Sequence, residues 1–578
     1  MTRTTTSPSL PETRLGQVDR RSFMAYFSAL GLGGTAFPGL LWAQAQEQGS
    51  VTKEMLAGAE AVTGLEFTDE EREQMLRRVN RNLGSYKALR EHPIPNAVHP
   101  ALLFDPLLPG TVLPTERKEF RHTRPVGVAR PSNLEELAFE PVTVLSELVR
   151  RRRVTSTELT RMYLDRLKRH DPVLKCVITL TEERALRQAR QADAEIARGH
   201  YRGPLHGIPW GAKDLLTVEG YRTTWGAKPY EHQMLDDNAT VVERLDEAGA
   251  VLVAKLTLGA LAQGDRWYGG QTRNPWNPEQ GSSGSSAGPA SATVAGLVGF
   301  SIGSETLGSI VSPSSRCGAT GLRPTFGRVS RHGAMALSWS MDKLGPLCRS
   351  VEDCALVLNA IHGADGKDPT ARDAPFNWDP AVRPSQLRIG YLKEQFERER
   401  QENQREAQEA DLAVLDVLRG LGAQLIPFSL PDDLPINAMR IILTAEAGAA
   451  FNELTMSGRD DELVRQEGWP NTFRVSRTIP AVEYIQANRL RTIAMGDLEA
   501  RFDGIDVFVS PSFGGSTLLL TNLTGHPTVV VPNGFRENGT PLSVSFVGKL
   551  FGDAEALMLA KAYQDATDFH KRKPPQFV

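Results

Sequence analysis

Along most of this chain, stretches with apolar residues at helical spacing alternate with short, uninterrupted apolar runs. The helical period predicts helices over 143–152, 156–170 and 182–198. Ser156 opens the second, with Glu158 in its first turn. Gly199 ends the third, where a left-handed residue commonly stops a helix. A helix over 239–248 stops at Gly249 and feeds the apolar run 250–254, a helix-to-strand step. The run Ser350-Val351-Glu352-Asp353 caps a further helix that closes at Gly363. Other strands are predicted at 387–392, 506–510 and 528–532, and a short apolar stretch carrying Lys213 follows Gly207-Ile208-Pro209. This alternation predicts an α/β fold.

The pattern changes before residue 140. Residues 46–135 begin with a polar helix over 68–89, opened by the capping-box sequence Thr68-Asp69-Glu70-Glu71, and continue through a proline-rich loop from Pro93 to Pro125. Further upstream, Arg20-Arg21-Ser22-Phe23-Met24 places paired arginines before an apolar run from Ala25 to Trp42, which ends at Ala43-Gln44-Ala45. Glycines at 31, 33, 34 and 39 and Pro38 make that run a poor spanning helix. It reads as a twin-arginine export signal with a small-residue cleavage site. The expected organisation is a signal at 1–45, a helical and loop extension at 46–135, and one large domain at 136–575. After signal cleavage a soluble protein in the periplasm or secreted is expected, with no membrane association.

Composition narrows the function classes. With 578 residues the chain has ample length for a large core. Its net charge of −3, from 66 basic and 69 acidic side chains mixed along the chain, gives no footprint for nucleic acid. The four cysteines form no C-x-x-C pair and the eleven histidines no metal-ligand spacing, so neither a disulfide framework nor a metal site is expected. The expected partner is a small molecule.

Two glycine-serine segments carry the candidate chemistry. Gly281-Ser282-Ser283-Gly284-Ser285-Ser286-Ala287-Gly288 is too small to build a core, and alone it reads equally as a linker. A second segment, Gly303-Ser304-Glu305-Thr306-Leu307-Gly308-Ser309-Ile310, follows one apolar stretch later, so the two turns can face a common pocket.

These segments resemble the amidase signature family of serine hydrolases, whose motif runs roughly G-S-S-G-G-S, an alanine-rich helix, G-S-D-T-G-G-S-I-R, C-G and G-x-K-P-T. The matching stretch runs from Gly284 to Thr325 through Cys317-Gly318 and Gly321-Leu322-Arg323-Pro324-Thr325. Upstream, Gly203-Pro204-Leu205-His206-Gly207-Ile208-Pro209-Trp210-Gly211-Ala212-Lys213-Asp214 is similar to the family's lysine motif. Downstream come Phe326-Gly327-Arg328-Val329-Ser330, Met341-Asp342-Lys343-Leu344-Gly345-Pro346 and Asn522-Leu523-Thr524-Gly525-His526-Pro527, in the family's order. The resemblance covers about 140 to 570 and implies a single domain with a central mixed sheet covered by helices.

It also implies roles. Ser309 is the nucleophile, Lys213 the base, and a relay serine in a cis peptide passes the proton between them. Ser282 and Ser285 are both candidates for the relay. Register favours Ser285, since Ser309 then falls 24 residues later without a gap, whereas Ser282 needs a three-residue insertion. A lysine acts as a base only when neutral, which burial among Ile208, Trp210, Leu215 and Leu216 would favour. The backbone N–H groups of Thr306, Leu307, Gly308 and Ser309 are expected to form the oxyanion hole. No cofactor is implied.

Departures from the family pattern bear on the substrate. Glu305 stands for the usual aspartate, Leu307 for a glycine, and Val311 for the arginine that follows the nucleophile in many members. Arg316 is an alternative source of positive charge, although an arginine in such a loop more often pairs structurally. Trp267 and Tyr268 are candidate pocket residues, or simple loop packing, and residues 455–480 are a candidate lid. The expected activity is hydrolysis of a carboxamide, and of esters, through an acyl-serine intermediate. Two other readings stay open: the glutamine-hydrolysing subunit of a tRNA-dependent amidotransferase, and a non-catalytic binding protein on the same scaffold.

Overall fold

The computed structural model describes residues 50–63, 65–90 and 104–578. The twin-arginine segment and residues 91–103 of the proline-rich stretch lie outside them. Two compact units divide the chain: residues 1–91 with 478–480, and residues 92–477 with 481–578.

The first unit contains helices Lys53–Thr63 and Asp69–Arg90. Thr68 and Glu71 form the anticipated reciprocal cap: the Thr68 N–H donates to Glu71 Oε2 at 2.6 Å, and the Glu71 N–H to Thr68 Oγ1 at 3.3 Å. Residues 104–135, grouped by sequence with this extension, belong instead to the second unit. Their anchors are side chains of that unit. Phe104 packs edge-on against Phe326 with ring centroids 4.8 Å apart, and the Lys118 N–H donates to Asn377 Oδ1 at 2.9 Å.

The second unit is built on an eleven-stranded mixed sheet, the α/β architecture expected. Its strands are β1 (Val177–Leu180), β2 (Pro209–Lys213), β3 (Val251–Leu256), β4 (Phe300–Glu305), β5 (Thr320–Arg323), β6 (Lys343–Cys348), β7 (Ile389–Leu392), β8 (Leu425–Phe428), β9 (Val507–Pro511), β10 (Thr528–Phe535) and β11 (Pro541–Gly548). Their order across the sheet is β1-β3-β2-β4-β6-β5-β10-β11-β9-β7-β8. β2 runs parallel to both β3 and β4, and β7 parallel to β8 and β9, while the remaining neighbours are antiparallel. β2, β3, β4 and β6 are buried along their whole length, which is why they read as continuous apolar or small-residue runs and not as alternating ones.

Most helix boundaries fall within two residues of the sequence reading: Val142–Arg150, Glu182–Ala197, Thr240–Glu247 and Val351–Ile361. The helix Ser156–Leu174 differs in length and in its cap. Thr155, not Ser156, holds the N-cap and forms the capping box with Glu158. Ser156 turns inward, its hydroxyl donating to the Gly207 carbonyl at 2.8 Å, and so ties the helix to the segment leading into β2.

Sheet register positions the functional loops. β2 pairs with β4 through Trp210↔Phe300, Gly211↔Ser301 and Ala212↔Ile302. Lys213, at the C-terminal end of β2, therefore emerges beside the end of β4 and the turn that follows it. The short helix Ala287–Val294, buried throughout, lies over these strands and brings the first serine segment to the same point.

Candidate active site

Lys213 is fully buried, and its Nζ lies within hydrogen-bond distance of three hydroxyls. It donates to Ser285 Oγ at 2.8 Å, Ser304 Oγ at 2.8 Å and Ser286 Oγ at 3.1 Å, with the Ser304 carbonyl at 3.4 Å. Ser285 follows a cis peptide bond from Gly284. Of the two relay candidates, the structure brings Ser285 to Lys213 and leaves Ser282 away from it: the Ser282 hydroxyl donates to the Ser283 carbonyl at 3.0 Å. Gly284 is fixed by a close approach, since a Cβ there would sit 1.9 Å from the Gly264 carbonyl oxygen.

Ser309 is next to this cluster. Its carbonyl accepts from the Ser286 N–H at 3.0 Å, which locks the two serine turns together. The Ser309 side chain is nearly buried. Its hydroxyl makes no hydrogen bond among the described residues. Gly308 adopts φ +85°, a left-handed conformation that lets the chain turn sharply just before Ser309. Among the described residues no acceptor takes the backbone N–H groups of Leu307, Gly308 or Ser309, so these amides are available to a bound oxyanion.

Glu305 holds the turn from beneath. Its Oε2 accepts from the N–H groups of Ile310 at 2.8 Å and Val311 at 2.9 Å. Its Oε1 accepts from Arg323 Nη1 and Asn522 Nδ2, each at 2.8 Å. Burial alone would raise this carboxyl, but the Arg323 guanidinium and these donors hold it down at about 2. The carboxylate retained at 305 is thus a structural clamp, and Val311 is one of the residues it clamps.

Three residues that the sequence does not single out complete the cluster, Ser286 and Ser304 buried and Asp342 half-buried. Ser286 accepts from the Ser304 N–H at 3.1 Å and donates to the Ser304 carbonyl at 3.0 Å. Ser304 is itself a partner of Lys213. Asp342 accepts from Thr306 Oγ1 at 2.6 Å and from the N–H groups of Leu337 and Ser338 at 2.8 and 2.9 Å. All three lie inside motifs visible in the sequence, but their partners are fixed by the β4–β6 pairing Lys343↔Glu305 and Leu344↔Ser304, which no local pattern reveals.

Burial pushes the Lys213 ammonium well below the usual lysine range, and the negative charges of Asp342 and Glu305 oppose that shift only in part. Both carboxylates are engaged by other donors, and neither contacts Nζ. A neutral Lys213 amine among hydroxyls can accept a proton from Ser285 and return it, provided Ser285 in turn receives it from Ser309.

A cavity of about 640 Å³ opens beside the cluster, with Ser304 and Thr306 in its wall. Trp267 and Tyr268 do not line it; they pack on each other edge-to-face at 5.0 Å in a small hairpin whose Tyr268 N–H donates to the Gly226 carbonyl. Leu307 is half-buried and also absent from its lining. A second, polar cavity of about 900 Å³ includes Ser283, Ser312 and the exposed Arg316, whose guanidinium makes a long 3.4 Å contact with Gln280. Within 455–480, Trp469 and Phe473 stack, and Trp469 Nε1 donates to the Leu261 carbonyl at 2.7 Å, so the described part of the candidate lid is packed structure.

The sequence model of the Amidase family matches residues 158–520, which include Lys213, Ser285, Ser286, Ser304, Ser309 and Asp342. The chain belongs to the Amidase family. Members are hydrolases acting on carbon–nitrogen bonds of small amides. The chain is 36% identical over 476 residues to a glutamyl-tRNA(Gln) amidotransferase subunit from Roseiflexus sp. (strain RS-1), covering 74% of this chain and 96% of that protein. The peptide amidase from Stenotrophomonas maltophilia superposes with a TM-score of 0.67 at 30% identity, over 77% of this chain and 99% of its own. The 6-aminohexanoate cyclic dimer hydrolase superposes equally well, at 0.67 over 76% of this chain and 100% of its own, but at 22% identity it supports the fold alone. Among the described residues of this family member no cluster of His, Cys, Asp or Glu has the makings of a metal site, and no helix is long and apolar enough to cross a membrane.

Proposed function

We propose that this protein is a serine amidase that works without cofactor. Ser309 Oγ attacks the amide carbonyl while its proton passes through Ser285 to Lys213. The oxyanion takes the N–H groups of the Thr306–Ser309 turn. Collapse returns the proton through Ser285 to the departing nitrogen, leaving an acyl-Ser309 that water cleaves by the same route in reverse. Esters, with an easier leaving group, follow the same course. The observation that carries this reading is the buried Lys213 amine, 2.8 Å from Ser285, whose neighbour Ser286 is hydrogen-bonded to the Ser309 carbonyl.

The test compares the protein with Ser309→Ala on a panel of aliphatic, aromatic and peptide-like amides and matching esters, following acid and amine release by mass spectrometry. Turnover by the parent alone supports the assignment. Full activity in the folded variant overturns it.

The similarity to amidotransferase subunits favours a second reading, hydrolysis of glutamine within a multi-chain assembly. Turnover by the isolated chain, without partner chains, ATP or tRNA, separates the two. The paired arginines Arg20-Arg21 add a proposal on location: export by the twin-arginine route to the periplasm or beyond. Replacing both by lysine should leave the protein in the cytoplasmic fraction; unchanged export would rule that route out.

A further inference from the structure

The cavity beside Thr306 has a chemistry of its own. Its wall is largely apolar, with Leu215, Met335, Leu337, Leu344 and Ala445 among its residues, and the half-exposed Trp339 also lines it. Its volume of about 640 Å³ is in the range of sites that enclose a whole small ligand. Ser304 and Thr306 belong both to this wall and to the catalytic turn.

Several charged side chains also line it, and each is already committed to the protein. Asp342 accepts from Thr306 Oγ1 and two backbone N–H groups. Glu446 accepts from the hydroxyls of Ser338 at 2.6 Å, Ser340 at 2.7 Å and Tyr484 at 3.0 Å, and from the Ser340 N–H at 3.1 Å. Arg331 pairs with Asp368 at 3.1 Å and donates to the Trp339 carbonyl and Thr370. Lys367 pairs with Glu243 at 3.1 Å, and His332 lies 2.9 Å from Asp237.

A free amino acid brings an ammonium and a carboxylate, and each needs an opposite charge when it leaves water. Here a substrate carboxylate would have to break an existing ion pair, and a substrate ammonium would have to share a carboxylate that already accepts three or more donors. An uncharged apolar group needs neither and gains from burial. We infer that this cavity selects amides whose buried portion is bulky, apolar and uncharged, and that it rejects zwitterionic amides such as glutamine. The inference rests on the serine amidase reading for its link to turnover, but the binding preference stands on the cavity wall alone.

The experiment has two arms. In the first, the full protein is given primary amides of increasing apolar size, from acetamide to 4-phenylbutyramide, together with glutamine. The expected kcat/KM rises at least tenfold along the series and exceeds that for glutamine at least a hundredfold. In the second, 4-phenylbutyramide and glutamine are titrated into Ser309→Ala by calorimetry, with and without Ala445→Phe, which projects a ring into the cavity. Binding of the phenyl amide weakened at least tenfold by Ala445→Phe, in a variant of unchanged melting temperature, is the expected result. Ala336→Phe, from another segment of the wall, serves if Ala445→Phe does not fold. Preference for glutamine in either arm, or phenyl amide binding indifferent to both fillings, overturns the inference. Size-dependent binding with no hydrolysis in the parent upholds the cavity preference and sinks the serine amidase reading instead.

Discussion

Replacing Glu305 by glutamine removes one charge and preserves shape. The carboxylate accepts four donors, two at each oxygen, from Ile310, Val311, Arg323 and Asn522. A glutamine amide offers an oxygen at one end only, so whichever way it turns its NH2 faces two donors. Arg323 is also left as a buried charge without its counterion, though Thr521, His526 and Thr528 still accept from it. Breaking one side of a buried pair costs about 3–5 kcal/mol. The residues from 104 onward form a body whose unfolding entropy, at about 2.1 cal/mol/K per residue, is on the order of 1 kcal/mol/K. The expected fall in melting temperature is therefore about 3–5 °C. The turn whose amides are proposed to hold the oxyanion loses its clamp at the same time, and kcat should fall by about 10²-fold or more. Scanning calorimetry and steady-state kinetics read both. Adding Arg323→Met removes the stranded charge and lets the oxygen of the glutamine at 305 turn to the Ile310 and Val311 N–H groups, so it should recover part of the stability. A single variant that melts within about 1 °C of the parent and keeps its kcat would refute the clamp.

Four further outcomes are expected. Lys213→Met should leave a folded protein and lose at least about 10⁴-fold in kcat, and Lys213→Arg should not rescue it because a guanidinium does not deprotonate; circular dichroism and initial rates check both. In the parent, kcat/KM should rise with pH as Lys213 loses its proton, with a midpoint well below the ordinary lysine value of 10.5. Glu305, held at about 2 against 4.5, contributes stability that is full above its unfolded value and is lost as pH falls towards 2. The amount is about 3 kcal/mol, and acid unfolding of Glu305→Gln should lack that part of the parent's pH dependence. Gly308→Ala should lower kcat more than it raises KM, since the residue has φ +85° and a Cβ would lie 3.0 Å from Ser312 Oγ and 3.2 Å from Leu518 Cδ2.

What the sequence discloses and what it withholds follow from the range of the forces involved. Helix ends and turns depend on neighbours a few residues apart, so Gly199, Gly249 and Ser350 mark their boundaries correctly. The cap at Thr155 reads one residue late because Ser156 is an equally good cap in isolation; its hydroxyl is taken by Gly207, 51 residues away. The placement of Lys213, Ser285 and Ser309 is legible because each sits in an ordered motif of unusual small residues. Trp267 and Tyr268 stand out by aromatic character, but a hairpin satisfies them locally. The residues that do line the cavity, such as Leu215, Leu337 and Ala445, are ordinary apolar residues on separate segments. Only the fold brings them to one wall, so no sequence pattern distinguishes them from core.

Burial alone does not make a base, and the molecule contains its own control. Lys255 and Lys343 are also buried, and burial pushes both below the usual lysine range. Lys255, however, lies 2.8 Å from the Asp214 carboxylate and donates to Thr223 Oγ1 and the Arg222 carbonyl. Its counterion and acceptors favour the charged form. Lys343 donates to the Met341 carbonyl of its own turn, and among the described residues no hydroxyl takes the place of that carbonyl. Lys213 differs from both in its partners. The Ser285 and Ser304 hydroxyls can each either accept from an ammonium or donate to an amine, so the proton can leave Nζ without stranding a buried group. It is this tolerance of both protonation states, and not desolvation by itself, that suits Lys213 to the role proposed for it, taking a proton and giving it back.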